Sequence, residues 1–115
     1  MNFNLDEAIK TANQLIFNKF RKHLTDLQII VFRGSWDKEV YDAIAARHDY
    51  SFCYIRSDVA PNLWNMLSES LGERVTKSNF KEALKRYWLQ QPVFEETNEY
   101  WQNNVNNQNN TALFI

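Results

Sequence analysis

The sequence predicts an all-α domain of about five helices that contains a helix-turn-helix, and three observations carry that prediction. Only two glycines, Gly34 and Gly72, and two prolines, Pro61 and Pro92, occur in 115 residues, too few for the turns of a hairpin-rich sheet. Apolar side chains recur at three- and four-residue intervals along most of the chain, the spacing that builds one buried face on a helix. Hydrophobic residues make up 44% of the chain and aromatics 15%, enough apolar bulk for one modest core without metal or disulfide staples.

The first helix is capped by Asn4 and carries Leu5, Ala8, Ala12, Leu15, Ile16 and Phe20 on one face. Thr25 and Gln28 have capping-box spacing and start a second helix with Leu27, Ile30 and Val31 inward, which is expected to end near Gly34. Gly34-Ser35-Trp36 then reads as a joint, and Asp37 as the cap of a third helix bearing Val40, Tyr41, Ile44 and Ala45. Ser51 caps the fourth helix, whose Ile55, Val59, Leu63, Leu67 and Leu71 step by four, with Met66 beside them, to a stop at Gly72. Pro61 removes a backbone donor and crowds the carbonyl of Ser57, so a kink or break is expected there. A fifth helix follows Ser78 with Phe80, Ala83, Leu84 and Tyr87 inward and Lys77, Lys81, Lys85 and Arg86 mostly outward.

Residues 41–59, "YDAIAARHDYSFCYIRSDV", have helix-turn-helix spacing. Ile44-Ala45 supplies the branched and small pair that lets two helices cross closely, Tyr50 is expected to plug the corner, and Ile55 and Val59 anchor the second helix. His48 and Asp49 occupy the corner in place of a glycine. An unspecialised helical hairpin would show the same inward stripe.

With Ile55 and Val59 inward, Phe52, Tyr54, Arg56, Ser57 and Asn62 are left to face a DNA groove. Arg56 is the expected base reader, because a guanidinium pairs bidentately with guanine; the plainer role is a solvated arginine near Asp58. Phosphate contacts are expected from Arg33, Lys38 and Arg47 beside the motif and from Lys77, Lys81, Lys85 and Arg86 after it, although a lysine-rich face is more often simply solvated.

The run from Leu24 to Leu84, with its "GSW" joint followed by "YDAIA", its "LWNMLSESLGERV" stretch and its closing "KSNFKEAL", resembles a known family. It is similar to the N-terminal helix-turn-helix domain of cyanobacterial AAA-like signal-transduction ATPases, the vWA-MoxR-associated proteins, over roughly residues 5–86. The resemblance implies a winged or extended helix-turn-helix akin to that of sigma factors and response regulators. In that family such a domain usually precedes a nucleotide-binding module, WD40 repeats or another effector, and DNA binding is inferred for it. Pro61, Phe52, Cys53 and Tyr54 depart from the more polar or smaller residues usual at those positions. With two glycines, no phosphate-cradling loop of an ATPase can be written for this chain.

Charge divides the chain in two. Residues 1–90 hold all 13 Lys and Arg against 11 of the 14 Asp and Glu, a surplus of about two positive charges. Residues 91–115 hold no base and three acids, Glu95, Glu96 and Glu99, followed by an Asn/Gln-rich stretch. That composition is expected to be a disordered or docking tail on a domain spanning residues 1–90. The basic bias is weaker than that of a tight nucleic-acid binder.

Other chemistries find little support. His23, His48 and Cys53 share no ligand spacing, so no metal, no cofactor and no Cys-His nucleophile is expected, and no enzyme is read from the chain. Cys53 is expected to line a helix interface, Trp36 and Trp64 to fill the core, and Trp88 and Trp101 are left open. No apolar run reaches membrane-span length or has a signal-peptide layout, so the cytoplasm is the expected compartment and no membrane partner is expected. The expected partner is double-stranded DNA, met by a homodimer acting in transcription regulation. The alternative is a protein partner, with the domain acting as a signalling adaptor.

Overall fold

The computed structural model describes residues 2–91. Expectations for the tail, including Glu95, Glu96, Glu99 and Trp101, lie outside the described residues.

Five helices and no strand are formed among the described residues. Helix α1 spans Leu5–Phe20, α2 Asp26–Trp36 and α3 Tyr41–His48. Helix α4 is one continuous rod made of α-helical Phe52–Tyr54, a π turn over Ile55–Val59, and α-helical Ala60–Leu71. Helix α5 spans Phe80–Gln90. Helix α1 lies against α4 and α5, while α2, α3 and the start of α4 contact one another as the three helices of the motif.

The starts follow the sequence closely. Asn4 Oδ1 accepts the Glu7 N–H at 2.9 Å. Thr25 Oγ1 accepts from the Gln28 N–H at 3.1 Å, and Gln28 Oε1 accepts from the Thr25 N–H at 2.9 Å, a complete capping box. Ser51 Oγ accepts from the Tyr54 N–H at 3.3 Å. At the far end of α4, Gly72 takes φ 72°, the left-handed conformation that terminates a helix.

The region between α2 and α3 differs from expectation. Helix α2 runs through Gly34 and Ser35 to Trp36, Asp37 closes that helix instead of opening the next, and α3 begins at Tyr41 with no side-chain cap. Gly34 is there for space. A Cβ at this position would stand 2.5 Å from both Cγ1 and Cδ1 of Ile44, closer than any carbon side chain tolerates, so the missing side chain lets α2 and α3 cross. Val40, placed on the third helix by the sequence, stands just before it and is exposed.

The α3–α4 corner is built without glycine. Asp49 adopts the left-handed region at φ 62°, a conformation that a short polar side chain tolerates better than most. Its N–H donates to Ala46 O at 3.4 Å, and the Tyr50 N–H donates to Ala45 O at 2.9 Å, the paired bonds of a Schellman stop. Tyr50 does not plug the corner; it is exposed, and so is Cys53, which lines no interface.

Pro61 neither breaks nor ends α4. The N–H of Ala60 donates to Ile55 O, five residues back, so the turn before Pro61 is widened by one residue. This widening also explains the four-residue stripe. Each four-residue step overshoots a 3.6-residue turn by about 40°, and one π turn resets the face so that Ile55, Val59, Leu63 and Leu67 all stay buried.

The core holds Ile16, Val31, Phe32, Ile44, Ile55, Leu63, Leu67, Phe80 and Leu84, all essentially without exposure. Phe32 joins the stripe expected of α2, and its ring meets Phe80 edge-on with centroids 5.0 Å apart. Trp64 is buried and Trp36 half-buried, as expected of core tryptophans; Trp88 is half-buried against Phe3, with ring centroids 5.1 Å apart.

Candidate nucleic-acid interface

With Ile55, Val59, Leu63 and Leu67 turned into the core, α4 presents Phe52, Tyr54, Arg56, Ser57, Asn62 and Asn65 to solvent. The helix is held at this angle by a buried polar contact, Trp64 Nε1–H donating to Tyr41 Oη at 2.8 Å. Burial raises the Tyr41 phenol above its usual pKa, and the hydrogen bond from Trp64 offsets part of that rise.

An open groove of about 740 Å³ runs along this face of α4 and is closed on its far side by the loop that follows the helix. Arg56 and Asn65 come from α4, and Arg74 and Lys77 from the loop. The loop is fixed. Ser68 Oγ accepts the Val75 N–H at 2.7 Å and donates to Trp64 O at 2.8 Å, while Asn79 Oδ1 accepts the Thr76 N–H at 2.7 Å and its Nδ2 donates to Arg74 O at 2.9 Å. Two side chains of α4 therefore share one groove with two cations of a pinned loop, an arrangement suited to reading base edges while holding phosphate.

Electrostatics in the groove are mixed. Glu69 and Glu73 line it as well, but Glu73 accepts from Arg86 Nη2 at 2.6 Å, which leaves Glu69 as the carboxylate without an ion-pair partner among the described residues. The guanidinium of Arg56 lies over the Phe52 ring, 5.2 Å from its centroid, and makes no ion pair with Asp58. It is held by an aromatic face and keeps its N–H donors available.

The predicted phosphate contacts separate into three groups. Lys38, Lys77 and Lys81 gather around a second, smaller cavity next to the groove, with Lys77 lining both. Arg47 is engaged in a bidentate pair with Glu39, one arm at 2.6 Å, and Arg86 is engaged with Glu73, so these two brace the scaffold. Arg33 and Lys85 are exposed and line neither cavity. Lys77 lies in the loop before α5, half-buried, with its ammonium 5.4 Å from the centre of the Tyr41 ring; Lys81 sits 4.6 Å from the Trp36 ring centre.

Sequence reasoning passed over Arg74, Asn65 and Ser35. Arg74 had no helical pattern to place it, Asn65 lies one step beyond the expected reading positions, and Ser35 was read as part of a joint. No group of three His, Cys, Asp or Glu side chains is arranged to hold a metal among the described residues, and no described helix is long and apolar enough to cross a membrane.

The family model for the vWA-MoxR associated protein N-terminal HTH matches residues 3–87, which takes in all five helices except the last turn of α5. No curated protein and no solved structure matches the chain.

Proposed function

Because the chain belongs to the vWA-MoxR associated protein N-terminal HTH family, we propose that it is a non-enzymatic regulator that binds double-stranded DNA through α4. The observation that carries this reading is the groove that Arg56 and Asn65 line together with Arg74 and Lys77. Arginine and asparagine are the side chains best suited to bidentate contacts with guanine and adenine edges, and the opposing cations suit the flanking phosphates. Phe52, Tyr54, Ser57 and Asn62 are also exposed on α4, outside the groove, and would extend the contact surface. A single motif with so few base contacts favours action as a dimer in transcription regulation.

A second reading has its own support. Tyr50, Phe52 and Tyr54 are exposed by 45%, 37% and 50%, an aromatic cluster at the head of α4 that suits a protein partner, with the domain serving as an adaptor.

Amide chemical-shift mapping of the full chain with a short random duplex separates the two. The DNA reading expects shifts along α4 from Arg56 to Asn65 and in the loop at Arg74 and Lys77. Absence of shifts at these positions with duplex in excess overturns it.

A further inference from the structure

The cavity beside the groove has the composition of an oxyanion site. It has a volume of about 510 Å³ and is lined by Lys38, Lys77, Lys81, Ser35, Thr76 and Ser78, together with the ring of Phe80 and without any carboxylate. None of the three lysines is in an ion pair among the described residues. Lys77 and Lys81 rest against the Tyr41 and Trp36 rings, so three cations line one cavity without a carboxylate to balance them, and an anion bound there offsets that charge.

Three further features point to the same ligand. Ser35 is 3% exposed, and its hydroxyl has no hydrogen-bond partner, an uncommon state for a buried polar atom. Helix α5 begins at the cavity with no side-chain cap, because Asn79 is turned back to hold Thr76 and Arg74. The Phe80 N–H donates to Thr76 O at 3.0 Å, which leaves the Lys81 and Glu82 N–H groups and the positive end of the helix dipole for a ligand, and the exposed Glu82 side chain does not line the cavity. Lys38 itself is held at φ 65°, a left-handed conformation unfavourable for lysine, which places its side chain on the cavity wall.

We propose that this cavity binds a phosphate group, held by Lys38, Lys77 and Lys81, by the Ser35 hydroxyl and by the α5 N-terminus. The site goes beyond the duplex reading and does not rest on it: a DNA backbone phosphate and a free phosphate present the same oxygens.

The probe is inorganic phosphate, added to the full chain at constant ionic strength with chloride as the control, and followed by the amide shifts of Ser35, Lys81 and Glu82. Saturable shifts specific to phosphate are expected. Ser35→Ala, which breaks no existing hydrogen bond, is expected to weaken phosphate binding about tenfold, the loss of one charge-assisted hydrogen bond. Lys38→Gly is a second variant with an opposite effect on the fold. It relieves the left-handed strain, so the domain melts higher while phosphate binding weakens. Shifts no larger with phosphate than with chloride overturn the site, as does unchanged phosphate affinity in both variants. Duplex binding by the same variants identifies the source. A parallel loss shows a backbone phosphate in the site, whereas unchanged duplex affinity with lost phosphate binding shows a free phosphate.

Discussion

The indole N–H of Trp64 donates to the phenolic oxygen of Tyr41 across 2.8 Å, joining α3 to α4 from inside the motif. These two helices must keep a fixed angle if α4 is to present Arg56 and Asn65 to a ligand, and this is the one side-chain hydrogen bond between them.

Tyr41→Phe is therefore expected to cost about 1 kcal/mol of stability near neutral pH, the net worth of one hydrogen bond plus the indole N–H left without a partner. The effect has a pH signature. Burial raises the folded-state pKa of Tyr41 above that of the unfolded chain, so its neutral form contributes stability fully below about pH 10, and that contribution falls as pH rises through the folded value. Urea unfolding of both proteins from pH 7 to pH 11 checks this: the gap between wild type and variant narrows above pH 10.

Gly34→Ala is expected to destabilise the domain although it introduces the best helix former. The new methyl group would stand 2.5 Å from the Ile44 side chain, and overpacking of this kind costs about 1–3 kcal/mol against the roughly 1 kcal/mol gained in helix propensity. Adding Ile44→Val, which removes Cδ1, recovers part of the loss. Thermal melts of the two single variants and the double variant measure that coupling.

Within the groove, Arg56 and Lys77 are expected to fail in different ways. Arg56→Ala relaxes discrimination between duplex sequences, with about 1–3 kcal/mol lost at the base it reads. Lys77→Ala weakens all sequences alike and lowers the salt slope by roughly one unit. Competition binding with a randomised duplex pool, at two salt concentrations, distinguishes these patterns.

Much of this architecture is legible in the sequence where local rules decide it. Asn4, the Thr25-Gln28 box, Ser51 and Gly72 act through bonds to neighbours three or four residues away, and all four mark their helix ends as read. Gly34 shows the limit: a glycine that looks like a helix stop can equally mark a close helix crossing, and only the position of Ile44 decides which. Asp49 took over a role usually given to glycine, and Pro61 was accommodated by a π turn that the four-residue stripe already encoded.

The site was less legible than the fold. Arg56 and Lys77 were read as separate contributors, a reader and a clamp, and both line one groove. Arg47 and Arg86 were read as phosphate contacts, but each is paired with a carboxylate, Glu39 and Glu73, 8 and 13 residues away, beyond any helical spacing. Ser35, Lys38 and Lys81 share one cavity because α2, the following turn and α5 meet in space, which no periodicity reports.

The central claim is that α4 and the loop after it form a DNA-binding surface, and the most direct measurement is the affinity of the full chain for a random duplex at about 50 and 200 mM salt. Two phosphate contacts, from Arg74 and Lys77, predict a slope near −1.8 and a fall in affinity of roughly 12-fold across that interval, and more if a backbone phosphate also occupies the cavity of Lys38 and Lys81. No binding at the lower salt, or an affinity unchanged between the two, would contradict it and leave the exposed aromatics Tyr50, Phe52 and Tyr54 as the surface to pursue.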